Sequence, residues 1–97
     1  MLDELTNENL DLFIKAVLSL ETEQDCRNFF DDILTANELR ELTQRLCVAK
    51  MLKDKVPYLT IVEKTGASTA TISRVNRAIM YGSNGYNKFF DSIESKD

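Results

Sequence analysis

Ninety-seven residues suit a single domain, since one core commonly holds on the order of 100 to 150 residues. A composition 43% hydrophobic and 29% charged supplies both an interior and a solvated surface, which excludes a wholly disordered chain. One proline and three glycines are too few for a strand-and-turn architecture, which needs a turn signal roughly every 8 to 12 residues, so the expected class is all-α.

Taken in chain order, Leu10, Phe13, Ile14, Val17 and Leu18 recur at the spacing of a helix that buries one face, with Thr6 or Asn7 as its cap. This predicts a first helix from about Asn7 to Leu20. A capping-box pattern at Thr22-Glu-Gln-Asp25 opens a second helix, whose stripe is Cys26, Phe29, Phe30, Ile33 and Leu34. A similar box, Thr35-Ala-Asn-Glu38, starts a third and longest helix that continues to about Lys53. Its apolar set is wide: Leu39, Leu42, Leu46 and Ala49, then Cys47, Val48, Met51 and Leu52 around the side. Such a helix needs cover on more than one side, from the core and from a dimer partner.

Asp54-Lys-Val-Pro57 interrupts the pattern, because proline lacks an amide donor and is tolerated chiefly in a helix's first turn. A short fourth helix should run from Tyr58 to Thr65. Gly66-Ala67-Ser68 then offers a glycine for positive φ and a serine to cap the next helix. The fifth helix, about Thr69 to Tyr81, turns Ile72, Val75 and Ile79 inward. The turn signal Gly82-Ser-Asn-Gly85 separates it from a last helix, about Tyr86 to Ile93, that carries Phe89 and Phe90. The five phenylalanines sit at helical spacing and read as core or dimer contacts.

Net charge is −4, but it is unevenly distributed. Residues 1–40 hold ten acids against three bases, whereas Arg45 to Lys88 hold eight bases against Asp54 and Glu63. The asymmetry suggests a basic, phosphate-facing end on an acidic scaffold. Lys50, Lys53 and Lys55 are candidate backbone contacts within it. No apolar run approaches the roughly 20 residues of a membrane span, and the acidic start lacks the charge of a signal peptide, so a cytoplasmic location is expected. Cys26 and Cys47 lack CxxC spacing and read as reduced core residues. With no histidine, no GxSxG elbow and no phosphate-cradling glycine loop, the sequence is not that of an enzyme. Asp31-Asp32, the adjacent acid pair of the core region, would project about 100° apart on a helix, away from a shared substrate.

Residues 58–81 have the layout of a helix-turn-helix, with Ile61 required to face Ile72 and Val75. The outward face of the second helix reads Ser68, Thr69, Ala70, Thr71, Ser73, Arg74, Asn76 and Arg77. Hydroxyls, methyls, amides and guanidinium groups are the inventory that contacts base edges and phosphates in a major groove about 12 Å wide. Lys64 joins them as a candidate DNA contact.

Here Gly66-Ala-Ser-Thr-Ala-Thr-Ile-Ser-Arg74 resembles the turn and recognition helix of the tryptophan repressor family. The order of helices follows the repressor across roughly residues 10–95, and the chain is similar to small repressor-related proteins distinct from the true tryptophan repressor. The resemblance implies a six-helix, intertwined homodimer of tryptophan-repressor type that binds a palindromic operator in double-stranded DNA and regulates transcription, as a repressor. It implies base contacts from Thr69, Ala70, Thr71 and Ser73, and an effector pocket at Thr35, Arg45 and Arg74. Arg45 can equally pair with Glu41. Val75 and Ala78 stand where the repressor has a glycine and a serine. A branched side chain there intrudes on the space for an indole, and alanine cannot hydrogen-bond, so the expected cofactor is none. Any other small-molecule effector is left open. The alternative from the residues alone is a helical protein-interaction module without specific DNA binding.

Overall fold

The computed structural model describes residues 7–94, among which there are six helices and no strands. They are α1 (Glu8–Leu18), α2 (Glu23–Ile33), α3 (Ala36–Lys53), α4 (Tyr58–Thr65), α5 (Thr69–Tyr81) and α6 (Gly85–Glu94). Two compact units meet in sequence between Ala36 and Asn37. No helix among the described residues is long and apolar enough to cross a membrane.

The first unit holds α1 and α2. Asn7 caps α1 by accepting from the Leu10 amide at 2.8 Å, and Thr6, the other candidate, lies outside the described residues. The helix ends with its stripe at Leu18, two residues before the expected Leu20, where the Ser19 hydroxyl donates to the Ala16 carbonyl at 2.6 Å. Thr22 and Asp25 form the expected capping box of α2, each side chain accepting from the other's backbone amide at 3.0 and 3.3 Å. Neither helix contains a buried residue. The Phe13 and Phe29 rings lie 6.4 Å apart, yet Phe13, Ile14, Val17 and Ile33 are all exposed, and Leu18 is 78% exposed.

The second unit, from Asn37 onward, contains the core: Val48 and Ala49 of α3, Ile61 of α4, Ala67 of the turn, Ile72 and Val75 of α5, and Phe90 of α6. Fully burying each large member stabilises the fold by roughly 1.5–3 kcal/mol. Phe90 fulfils the expectation of a core phenylalanine, whereas its neighbour Phe89 is exposed. Of the wide apolar set on α3, Val48 and Ala49 face this core and Leu39, Leu42 and Leu46 remain exposed. Cys47 is also exposed rather than buried, because the core takes its neighbours Val48 and Ala49. Cys26 is half-buried, and both thiols are free.

The end of α3 is closed by a pair of backbone bonds, Val56 N–H to the Met51 carbonyl and Lys55 N–H to the Leu52 carbonyl, both 3.0 Å. This 6→1 and 5→2 pattern is a Schellman motif, and it puts Lys55 in the left-handed region at φ 65. Pro57 then stands as the cap before α4, which starts at Tyr58 as expected. At the other end of α5, an added Cβ on Gly82 would collide with the Ala78 carbonyl oxygen, which explains the glycine there. Asn87 secures α6 by donating from Nδ2 to the Ile79 carbonyl at 3.1 Å.

Candidate nucleic-acid interface

The helix-turn-helix is α4, the three-residue turn 66–68 and α5. Its inner side is as expected: Ile61 and Ile72 are wholly buried and Val75 is 2% exposed, all in one cluster. Gly66 takes φ 74 and donates its amide to the Val62 carbonyl at 2.9 Å, the left-handed turn that stops α4. Ser68 caps α5, its hydroxyl oxygen accepting from the Thr71 amide at 3.1 Å.

Three further bonds hold the turn, none of them among the expected caps. The Thr65 hydroxyl donates to the Ile61 carbonyl at 2.7 Å and accepts from the Ala67 amide at 3.1 Å. From α3, Gln44 Nε2 donates to the Thr65 carbonyl at 3.0 Å. A threonine directly before the turn glycine was the signal that could have disclosed the first two; Gln44, flanked by Thr43 and Arg45, stands out in no local pattern.

On the outer side, Ser68, Thr69, Ala70, Ser73, Arg74 and Arg77 are exposed, as is Lys64 at the end of α4. These residues are displayed together on one helix-turn-helix whose apolar side is sealed. Thr71 differs: it is half-buried, and its Oγ1 accepts from the Ser68 hydroxyl at 3.1 Å. Asn76 is half-buried as well, with Nδ2 3.6 Å from the Met80 sulfur.

The basic residues of α3 divide differently from their sequence spacing. Lys50 pairs with Asp54 at 2.9 Å, and Lys53 pairs with Asp91 at 3.6 Å while its ammonium lies 5.4 Å from the centre of the Phe90 ring. Among the described residues no ion pair engages Lys64, Arg74 or Arg77. Their charge is therefore available to a ligand, whereas that of Lys50 and Lys53 is partly neutralised.

Of the three residues implied as an effector pocket, Thr35 belongs to the first unit and Arg45 and Arg74 to the second. Arg45 is half-buried, with its guanidinium 4.0 Å from the Glu41 carboxylate. Arg74 is exposed, and the neighbouring Val75 turns into the core.

The sequence model of the Trp repressor protein family matches residues 8–94. The chain belongs to the Trp repressor family. This is a family of DNA-binding regulators rather than of enzymes. Within it, the chain is 43% identical to YerC of Bacillus subtilis strain 168, an uncharacterized protein, over 99% of this chain and 92% of YerC. Among solved structures, a TrpR-like protein from Eubacterium eligens superposes with a TM-score of 0.90 at 46% identity, covering 95% of each chain. A Staphylococcus aureus protein described as a candidate Trp repressor gives a TM-score of 0.91 at 44% identity, over 97% of this chain and 94% of that one. The six helices thus have the Trp repressor arrangement that the nonamer at Gly66 to Arg74 implied.

Proposed function

We propose that the protein is a sequence-specific transcriptional regulator, a repressor, that binds double-stranded DNA as a homodimer. The observation that carries this reading is the two-sidedness of α5. Ile72 and Val75 are sealed into the core, while Thr69, Ala70, Ser73, Arg74 and Arg77 stand exposed beyond a capped, rigidly closed turn. In this reading Thr69, Ala70 and Ser73 reach base edges, with Ala70 offering a methyl to thymine, and Ser68, Lys64, Arg74 and Arg77 engage phosphates or guanine. Thr71, bound to Ser68, orders the start of the helix as much as it contacts DNA.

The uncovered apolar residues of α1 and α2, together with Leu39, Leu42 and Leu46 of α3, support dimerisation, since so many apolar side chains on a chain of this size need a partner's surface. Two recognition helices would read half-sites about 34 Å apart, one helical turn of DNA. Val75 and Ala78 favour a regulator that works without tryptophan: the valine packs into the core beside Arg74, and the alanine has no hydroxyl to offer an amino group.

Selection of bound DNA from a random library, with and without added tryptophan, tests the reading. A two-fold symmetric site with half-sites one turn apart, equally enriched in both arms, is expected. Arg74→Ala should abolish the enrichment while circular dichroism stays unchanged. Recovery of no common sequence by a well-folded protein would instead favour a helical protein-interaction module, for which Leu59, Met80 and Tyr81, all exposed at the flanks of the helix-turn-helix, supply apolar contact points.

A further inference from the structure

Lys64, at the end of α4, faces a second feature of the same unit as well as the helix-turn-helix. Between α3 and α4 lies a cavity of about 350 Å³ whose walls include Arg40, Thr43, Gln44, Cys47, Met51 and Lys64. That volume is at the lower end of the range used for small ligands. Both of its charged lining side chains are cationic, and no aspartate or glutamate lines it. Among the described residues four bases sit close to acids, Arg27 with Glu23, Arg45 with Glu41, Lys50 with Asp54 and Lys53 with Asp91, whereas Arg74 and Arg77 do not. Lys64 has no such partner among the described residues. Arg40 uses one guanidinium nitrogen on the Asn37 side-chain oxygen at 2.9 Å, which leaves most of its five N–H donors for another acceptor. Met51 and Cys47 give the same cavity a soft apolar wall.

We propose that this cavity is a binding site for a small organic anion, whose carboxylate or phosphate pairs with Arg40 and Lys64 and whose apolar body lies against Met51 and Cys47. Two fixed positive charges beside an apolar wall select a molecule that carries both characters, since either part alone leaves half of the lining unmatched. The site is separate from the pocket implied at Arg45 and Arg74, because Arg40 and Arg45, five residues apart at about 100° each, diverge by about 140° around α3. Gln44 and Thr65, whose hydrogen bond fixes the turn, both border the cavity. An occupant therefore lies beside the two residues that make this bond.

Cys47 makes the site testable without reference to DNA. Iodoacetamide alkylates its thiolate, forming a C–S bond and releasing iodide, and the rate is read by mass spectrometry with half-buried Cys26 as internal reference. Benzoate and phenyl phosphate, added to the full-length protein at constant ionic strength, should slow alkylation of Cys47 several-fold with saturation, while the neutral isostere benzamide should not. Protection by benzoate would identify a carboxylate site, and protection by phenyl phosphate a phosphate site. The double variant R40Q/K64Q, whose changes are at exposed positions, should lose the protection with its helicity intact. Absence of saturable protection by either anion, equal protection by benzamide, or protection that survives in the double variant would overturn the proposal. The wild-type comparison with benzamide stands even if the double variant fails to fold.

Discussion

Gln44 and Thr65 are 21 positions apart, and the glutamine Nε2 meets the threonine carbonyl at 3.0 Å. The contact is partly buried, and it joins the longest helix to the last residue of α4, immediately before the chain reverses. Gln44→Ala should cost about 1 kcal/mol by leaving that carbonyl without its donor. For a chain of this size the melting temperature should then fall by about 4–8 °C. Gln44→Glu should do the same, since a carboxylate cannot donate. Thermal denaturation followed by circular dichroism checks both, and a melting point equal to wild type in either would show that the bond does not hold the turn.

The cap of α5 rests on one hydroxyl. Ser68→Ala should destabilise by about 1 kcal/mol, because the Thr71 amide loses its acceptor, whereas Ser68→Asn should retain most of the stability. Hydrogen exchange at the Thr71 amide should accelerate in the alanine variant. Unchanged protection there would mean that another group caps the helix.

Lys55 offers the opposite sign. At φ 65 a residue with a Cβ is strained by roughly 1 kcal/mol, and the position is the one that glycine favours in a Schellman motif. Lys55→Gly should therefore raise the melting temperature by a few degrees, in spite of the greater freedom glycine brings to the unfolded chain. A lowered melting point would indicate that the lysine side chain makes a compensating contact.

Ile72 and Leu59 give a contrast within one motif. Ile72→Ala should cost about 2–5 kcal/mol by emptying part of the core, a large share of a total stability of roughly 5–15 kcal/mol. Leu59→Ala, at a position 77% exposed, should change stability by no more than about 0.5 kcal/mol. Urea titration distinguishes them by the midpoint.

How far these relationships can be read from sequence depends on their range. The caps Asn7, Thr22 and Ser68 and the left-handed Gly66 are encoded within four residues of chain, and each is where its local pattern puts it. The inward trio Ile61, Ile72 and Val75 follows from helical periodicity plus the geometry of the turn. By contrast, Cys47 and Val48 are equally apolar neighbours, and which of them meets the core depends on how α3 rotates against α4 and α5. The ion pair from Lys53 to Asp91 spans 38 positions and leaves no mark in local spacing. Lys55 was hidden for another reason: a lysine in a left-handed cap contradicts the rule used to find such caps, so only the bonds to Met51 and Leu52 disclose it.

Gly66 is held by torsion alone. A methyl group built on it would meet no atom within 4 Å, so the outer side of that corner faces open space. Asparagine, which tolerates such dihedrals better than other residues with a side chain, should be the mildest replacement there, and a valine of intermediate bulk the harshest. Room at this bend is therefore no licence for substitution: a side chain there costs backbone strain rather than a clash, so the angle between the two helices depends on a residue that accepts positive φ.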